Sequence, residues 1–342
     1  MRKPVIKEFN FIKAVCTFGI IAYHFSCHLT SRYFLPVYAF KNGFWGDVFV
    51  AVFFIVSGAL LYYHYADKPI GMLSTYFYKR WKSIFPMYYI AYIYFEVQNI
   101  IEHKSPMFRG NLWRYVYTLF GMDGYLSQNV TTYYILGEWF TGAIILLYIL
   151  FPLILRFLTK NDKFVFLVTL ILYVIFLDKP IINPVSYWSI TSCLISFVCG
   201  MMLMRYREQV LNKWCALVST IGFLVLWFVT VPLSVDVSIH LMGIFLFVIL
   251  SFAGKHLMKN NFFDKIFAEM SSISYACFLL QHITIYEVLG AWNPSNPVKI
   301  LILLVCTIVL ILCKAKVLTL VTDAFVKKMD SIILRCLKNK DS

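Results

Sequence analysis

The chain has 342 residues, of which 61% are hydrophobic, 18% aromatic and 14% charged; its mean hydropathy is +0.74 and its formal net charge +14. Soluble domains average roughly 25% charged and 45–50% apolar residues, so this composition excludes a water-soluble enzyme and predicts an integral membrane protein. The basic residues sit in short clusters between apolar runs, which the positive-inside rule explains without a nucleic-acid partner.

A spanning helix needs about 20 predominantly apolar residues. The first such run, "NFIKAVCTFGIIAYHFSCHL" (Asn10 to Leu29), lacks a small-residue cleavage site and reads as a retained transmembrane helix, not a signal peptide. Spans are then predicted over residues 9–29, 44–65 and 81–101. The following outer segment, 102–132, holds an amphipathic piece from Asn111 to Phe120 suited to the membrane interface. Further spans are predicted over 133–158, 163–178, 187–204, 214–232, 236–254, 273–290 and 298–320. The fifth is short and the seventh and eighth nearly touch, which brackets the count between nine and eleven.

With the N-terminus inside, 23 basic residues fall on inner segments and seven on outer ones, with Lys13 left inside a span. That bias predicts about ten transmembrane helices in an all-α bundle, both termini cytoplasmic, in a multi-pass protein of the cell membrane. Residues 1–322 form the membrane domain, and 323–342 alternate apolar and basic residues as a helix for the cytoplasmic leaflet. The nine cysteines show no C-x-x-C pattern and lie mostly in apolar runs, so neither a disulfide framework nor a metal site is expected.

Lys13 and His24 interrupt the first apolar run. Eleven steps at about 100° bring the helix round to within about 20° of its start, so the two share a face about 16 Å apart along the axis. Ionisable groups in spans usually face a bundle interior or a wet cavity, although a lysine near a helix end also snorkels and a lone histidine also serves as a packed core residue. The shared face favours two groups serving different points of one cavity.

Lysine or arginine, ten residues, then histidine in the first span resembles the opening motif of the acyltransferase 3 family. Four later stretches agree in order. "VAVFFIVSGALL" is similar to the family's second-span pattern through Phe53, Phe54, Ser57 and Gly58. "YKRWKSIFPMYYI" resembles its basic stretch followed by proline through Arg80 and Pro86. "GEWFTGAIILLYILFPLI" matches through Trp139, Phe140, Tyr148, Phe151 and Pro152, and "SISYACFLLQHITIY" through Ser274, Tyr275 and His282. Two departures stand out: many members carry arginine where Lys13 stands, and an acidic residue where this chain has Ala51, with Asp47 one turn earlier.

The resemblance implies a membrane O-acyltransferase that moves an acyl group, mostly acetyl, from acyl-CoA to a hydroxyl of an envelope or exported carbohydrate, without a metal. His24 is then the candidate general base, since histidine takes protons near neutral pH. Lys13, Arg80 and Lys82 are candidates to hold the phosphates of acetyl-CoA. Glu138 is a candidate to orient His24 or bind sugar hydroxyls. Trp139, His282 and His28 are candidates for acceptor contact. Ser57 and Gly58 fit close helix approach better than nucleophilic chemistry. A transporter or flippase of a glycan-related substrate, without covalent chemistry, is the alternative, and a catalytically inactive scaffold a third. No convincing repeat relates the two halves of the chain, which counts against the transporter.

Overall fold

A computed structural model describes residues 3–29, 36–67, 70–107, 110–133, 136 and 139–338. The chain is built almost wholly of α-helices. In order they are α1 (Lys7–His28), α2 (Trp45–Tyr65), α3 (Leu73–His103), α4 (Tyr115–Leu119), α5 (Asp123–Leu126), α6 (Trp139–Leu158) and α7 (Asp162–Ile175). They continue with α8 (Ile190–Arg205), α9 (Arg207–Val210), α10 (Lys213–Phe228), α11 (Val235–Leu257), α12 (Asn261–Ser272), α13 (Ser274–Ala291) and α14 (Pro297–Lys338).

A helix stands at each of the ten stretches where a span is expected. Among the described residues, four are long and apolar enough to cross a bilayer: Trp45–Tyr65, Trp139–Leu158, Val235–Leu257 and Pro297–Ile332. The short ones, α7 with 14 residues and α8 and α10 with 16 each, reach about 21–24 Å against a hydrocarbon core of about 30 Å. Asparagine and serine caps fix several starts: Asn161, Asn212, Ser234 and Asn260 each accept a backbone N–H of the following first turn.

Three features depart from the sequence reading. Helix α3 begins at Leu73, not near residue 81, so Lys79, Arg80 and Lys82 lie on a helix and point in different directions. Helix α14 runs unbroken from Pro297 to Lys338, through the boundary expected at residue 322. The segment before α2 closes a minimal antiparallel hairpin, β1 (Ala39–Phe40) with β2 (Gly43–Phe44), pairing Ala39 with Phe44. At its turn, Asn42 donates to the carbonyls of Leu226 (2.6 Å) and Val229 (2.7 Å) and accepts from the amide of Val231 (3.0 Å), tying the hairpin to the end of α10. In the outer segment, the expected amphipathic piece is a 3-10 turn, Leu112–Arg114, leading into α4, with Leu112, Trp113, Val116 and Phe120 exposed.

Helix α1 is the axis that positions the site. Ile12, Cys16 and Ile20 belong to a core shared with α2, α6, α8 and α11. Ile21, Phe25 and Leu29 belong to a second core shared with α3, α13 and α14. One helix therefore borders both cores, and its polar residues lie at their seam. The most extensive helix contact joins α2 to α8. It depends on two glycines: a Cβ on Gly58 would lie 2.0 Å from the carbonyl oxygen of Phe197, and one on Gly200 would lie 2.0 Å from that of Ile55. The backbones touch, as the SG pair suggested.

Candidate functional site

A cavity of about 370 Å³ opens between α1, α2, α3, α6 and α13. Lys13, His64, Arg80, Ser83 and Tyr148 line its polar part, and Phe53, Phe140 and Phe278 close its inner end. His64 and Ser83 are exposed, so the polar end is the mouth. Among the described residues no acidic side chain lines this cavity. Arg80 leans over the rings of Tyr148 (5.6 Å) and Tyr76 (6.0 Å), and its Nε is buried without a hydrogen-bond partner. A guanidinium held by aromatic faces keeps its fork of donors free for an anion.

The sequence reading grouped Arg80 with Lys82, and the fold separates them. Two residues apart on a helix, they point about 200° away from each other. Lys82 turns to α14, where it pairs with Asp330 at 2.9 Å beside Tyr78, whose hydroxyl donates to the same carboxylate at 3.0 Å. Lys13 and Arg80 share the cavity; Lys82 does not line it.

Farther along α1, the rings of His24 and His282 lie 4.0 Å apart, and His28 is 6.4 Å from His282. Three candidates from two stretches far apart in the chain thus meet at one place, brought together by α1 packing against α13. Phe278, one turn before His282, belongs to the wall of the Lys13–Arg80 cavity, and its ring meets Phe140 at 5.2 Å. An aromatic collar therefore stands between the cationic mouth and the histidines. Among the described residues, no group of three or more His, Cys, Asp or Glu side chains is placed to hold a metal ion.

Trp139 goes elsewhere. It is buried and stacks on Trp188 at 5.1 Å, and the indole of Trp188 donates to Asp47 at 2.8 Å. Ala51 packs against α11, where Gly243 leaves room for it. Asp47 thus anchors an aromatic stack. Glu138 lies outside the described residues.

Sequence reasoning missed a second polar cluster, between α7, α8 and α11. Tyr173 donates to one oxygen of Asp236 at 2.5 Å and Ser192 to the other at 3.0 Å. The Nε2 of His240, one turn on, lies 3.3 Å from Asp236, and its Nδ1 lies 2.7 Å from the hydroxyl of Ser196. Serine, histidine and aspartate in that order suggest a nucleophile, but Ser196 is only 1% exposed, so the network is read as a brace between helices. Its signal was the Asp236–His240 spacing of four residues inside an apolar run.

A chain with a basic, aromatic-walled cavity leading to paired imidazoles has the parts that acyl transfer requires. No curated protein and no solved structure matches the chain. A family model described as an acyltransferase domain matches residues 6–316, a range that contains every motif of the site. By that match the chain belongs to the acyltransferase 3 family of membrane acyltransferases.

Proposed function

We propose that the protein transfers an acetyl group from acetyl-CoA to a hydroxyl of an envelope or exported carbohydrate. It does so from the cell membrane, as a bundle of about ten spans with both termini in the cytoplasm. The observation that carries the reading is the shared cavity of Lys13 and Arg80, which no carboxylate lines among the described residues and whose wall includes Phe278, one turn before the His282 that meets His24. Two cations with no acidic neighbour among the described residues of the wall suit the phosphates of a nucleotide donor. The distance of about 16 Å along α1 from Lys13 to His24 suits a long, thin pantetheine arm.

In this reading Lys13 and Arg80 hold the donor at the mouth, and its thioester passes the Phe53, Phe140 and Phe278 collar. His24 takes the proton of the acceptor hydroxyl as its oxygen attacks the thioester carbonyl. The carbon–sulfur bond breaks, the acetyl ester forms, and the thiolate leaves with the proton. His282 orients His24, and His28 borders the acceptor side. Burial of the reacting atoms strengthens each polar contact they make.

The test uses purified protein in liposomes with radiolabelled acetyl-CoA and a carbohydrate extract. Label should pass to carbohydrate with the native chain, fail with His24→Ala, and require more acetyl-CoA with Lys13→Ala. Full transfer by His24→Ala would remove it as the base. Absence of transfer by the native chain, with unchanged envelope acetylation in a deletion strain, would favour a transporter.

A further inference from the structure

A second cleft, of about 450 Å³, lies where α1 begins and α11 ends. Among the described residues its wall carries Lys7, Arg207, Lys255 and Lys259 against one carboxylate, Glu8. Two of the four cations are already neutralised: Lys7 pairs with Asp264 at 2.5 Å, and Arg207 pairs with Glu8. The ammonium groups of Lys255 and Lys259 meet no carboxylate among the described residues, and Nε of Arg207 is buried without a partner. Lys255 lies in the last turn of α11 and Lys259 in the turn just after it, and both line the cleft.

The cleft is held in shape. Tyr63 donates to the carbonyl of Pro4 at 3.0 Å, and Lys3 pairs with Asp67 at 2.6 Å, which pins the segment before α1 against the end of α2. The remaining wall is apolar: Val5, which is 74% exposed, with Ile6, Met204 and Met258. Unneutralised cations beside exposed aliphatic surface, at the end of a membrane bundle, are complementary to a phosphate that carries acyl chains.

We infer that this cleft binds the phosphate headgroup of an anionic membrane lipid, held by Lys255 and Lys259 beside the unpartnered Nε of Arg207. The site is independent of the acyl-transfer cavity, and the inference stands whichever carbohydrate is acetylated. Bound lipid would fasten the start of α1, the helix that carries Lys13 and His24, to the end of α11.

The experiment measures binding of short-chain phosphatidylglycerol to the purified full-length protein in a neutral detergent, by native mass spectrometry. Parallel arms use short-chain phosphatidylcholine and inorganic phosphate as competitors. At about one kcal/mol for each lysine near an anionic headgroup, Lys255→Gln with Lys259→Gln should weaken phosphatidylglycerol binding about thirtyfold. Lys255→Arg with Lys259→Arg should retain it. Lys327→Gln with Lys328→Gln, an equal loss of charge on the exposed part of α14, should leave it unchanged. Equal binding by the native and Lys255→Gln, Lys259→Gln proteins, or equal affinity for phosphatidylcholine, would overturn the site. Displacement by inorganic phosphate at matched concentration would overturn the lipid as its source and assign the cleft to a soluble phosphate.

Discussion

Substitution of Gly58 by alanine is the sharpest test of the packing that frames the cavity. The added Cβ would stand 2.0 Å from the carbonyl oxygen of Phe197, where ordinary contact begins at 3.4 Å. Relief requires α2 and α8 to part by about 1.4 Å, taken as the difference of those two distances. No flexible side chain can yield, because the obstructing atom is backbone. Overpacking a core costs about 1–3 kcal/mol, and here the separation also loosens the most extensive helix contact, so the upper end applies. At about 2 °C for each kcal/mol in a large chain, Tm in detergent should fall by roughly 6 °C. Transfer should fall with it, since Ser57 and Leu61 on α2 line the cavity. Gly290→Ala is the internal comparison: its Cβ would meet nothing within 4 Å, so in helix α13 it should leave Tm unchanged or raise it slightly. Equal Tm for Gly58→Ala and the native protein would refute the close approach of α2 and α8.

Three further outcomes are expected. Lys13→Gln and Arg80→Gln should each raise KM for acetyl-CoA about tenfold to a hundredfold, the worth of a hydrogen bond to a charged group, whereas Lys82→Gln should leave KM alone because Lys82 serves Asp330; steady-state kinetics separates the three. Asn42→Ala removes the three side-chain bonds that tie the hairpin to the end of α10, leaving the bond from the Lys41 amide to the Trp227 carbonyl, and should destabilise by about 1–3 kcal/mol in thermal unfolding, while Lys41→Ala, which keeps that backbone bond, should cost less. Asp162, at the start of α7, accepts from Tyr206 and pairs with Arg205 at 2.8 Å. The Tyr206 hydrogen bond, with Arg205 and nearby amides adding to it, holds its carboxyl below the usual 3.8. Its stabilising contribution is therefore complete above the ordinary carboxylate range and lost as the pH falls below it, and Asp162→Asn should remove that part of the acid sensitivity of Tm.

How far the site could be read from sequence depended on whether its signal was local. Lys13 and His24 were legible together because helical periodicity alone puts them on one face. Arg80 and Lys82 group together in the sequence by charge and nearness, with a span expected only from residue 81, whereas α3 starts at Leu73 and carries both. Once the helix is known, a spacing of two residues puts them on different sides, and only one can enter the cavity. Trp139 was expected near the acceptor for its place in a motif, but its ring is taken by Trp188, 49 residues away in sequence, through a contact no local pattern encodes.

The sequence by itself determined that the chain belongs in a membrane, the ten stretches at which helices stand, though not the start of α3 or the end of α14, and which family its ordered motifs resemble. Those properties follow from apolar content, period and residue order, which are carried along the chain. Only the tertiary structure decided that His24 meets His282, that Arg80 joins Lys13 while Lys82 leaves for α14, and that Asp236 and His240 of α11 lock onto Tyr173 of α7 and Ser196 of α8. Each of those is a contact between helices distant in the chain. Such contacts are set by which glycines let backbones approach and which side chains fill the space between, and neither is written in the periodicity of any single helix.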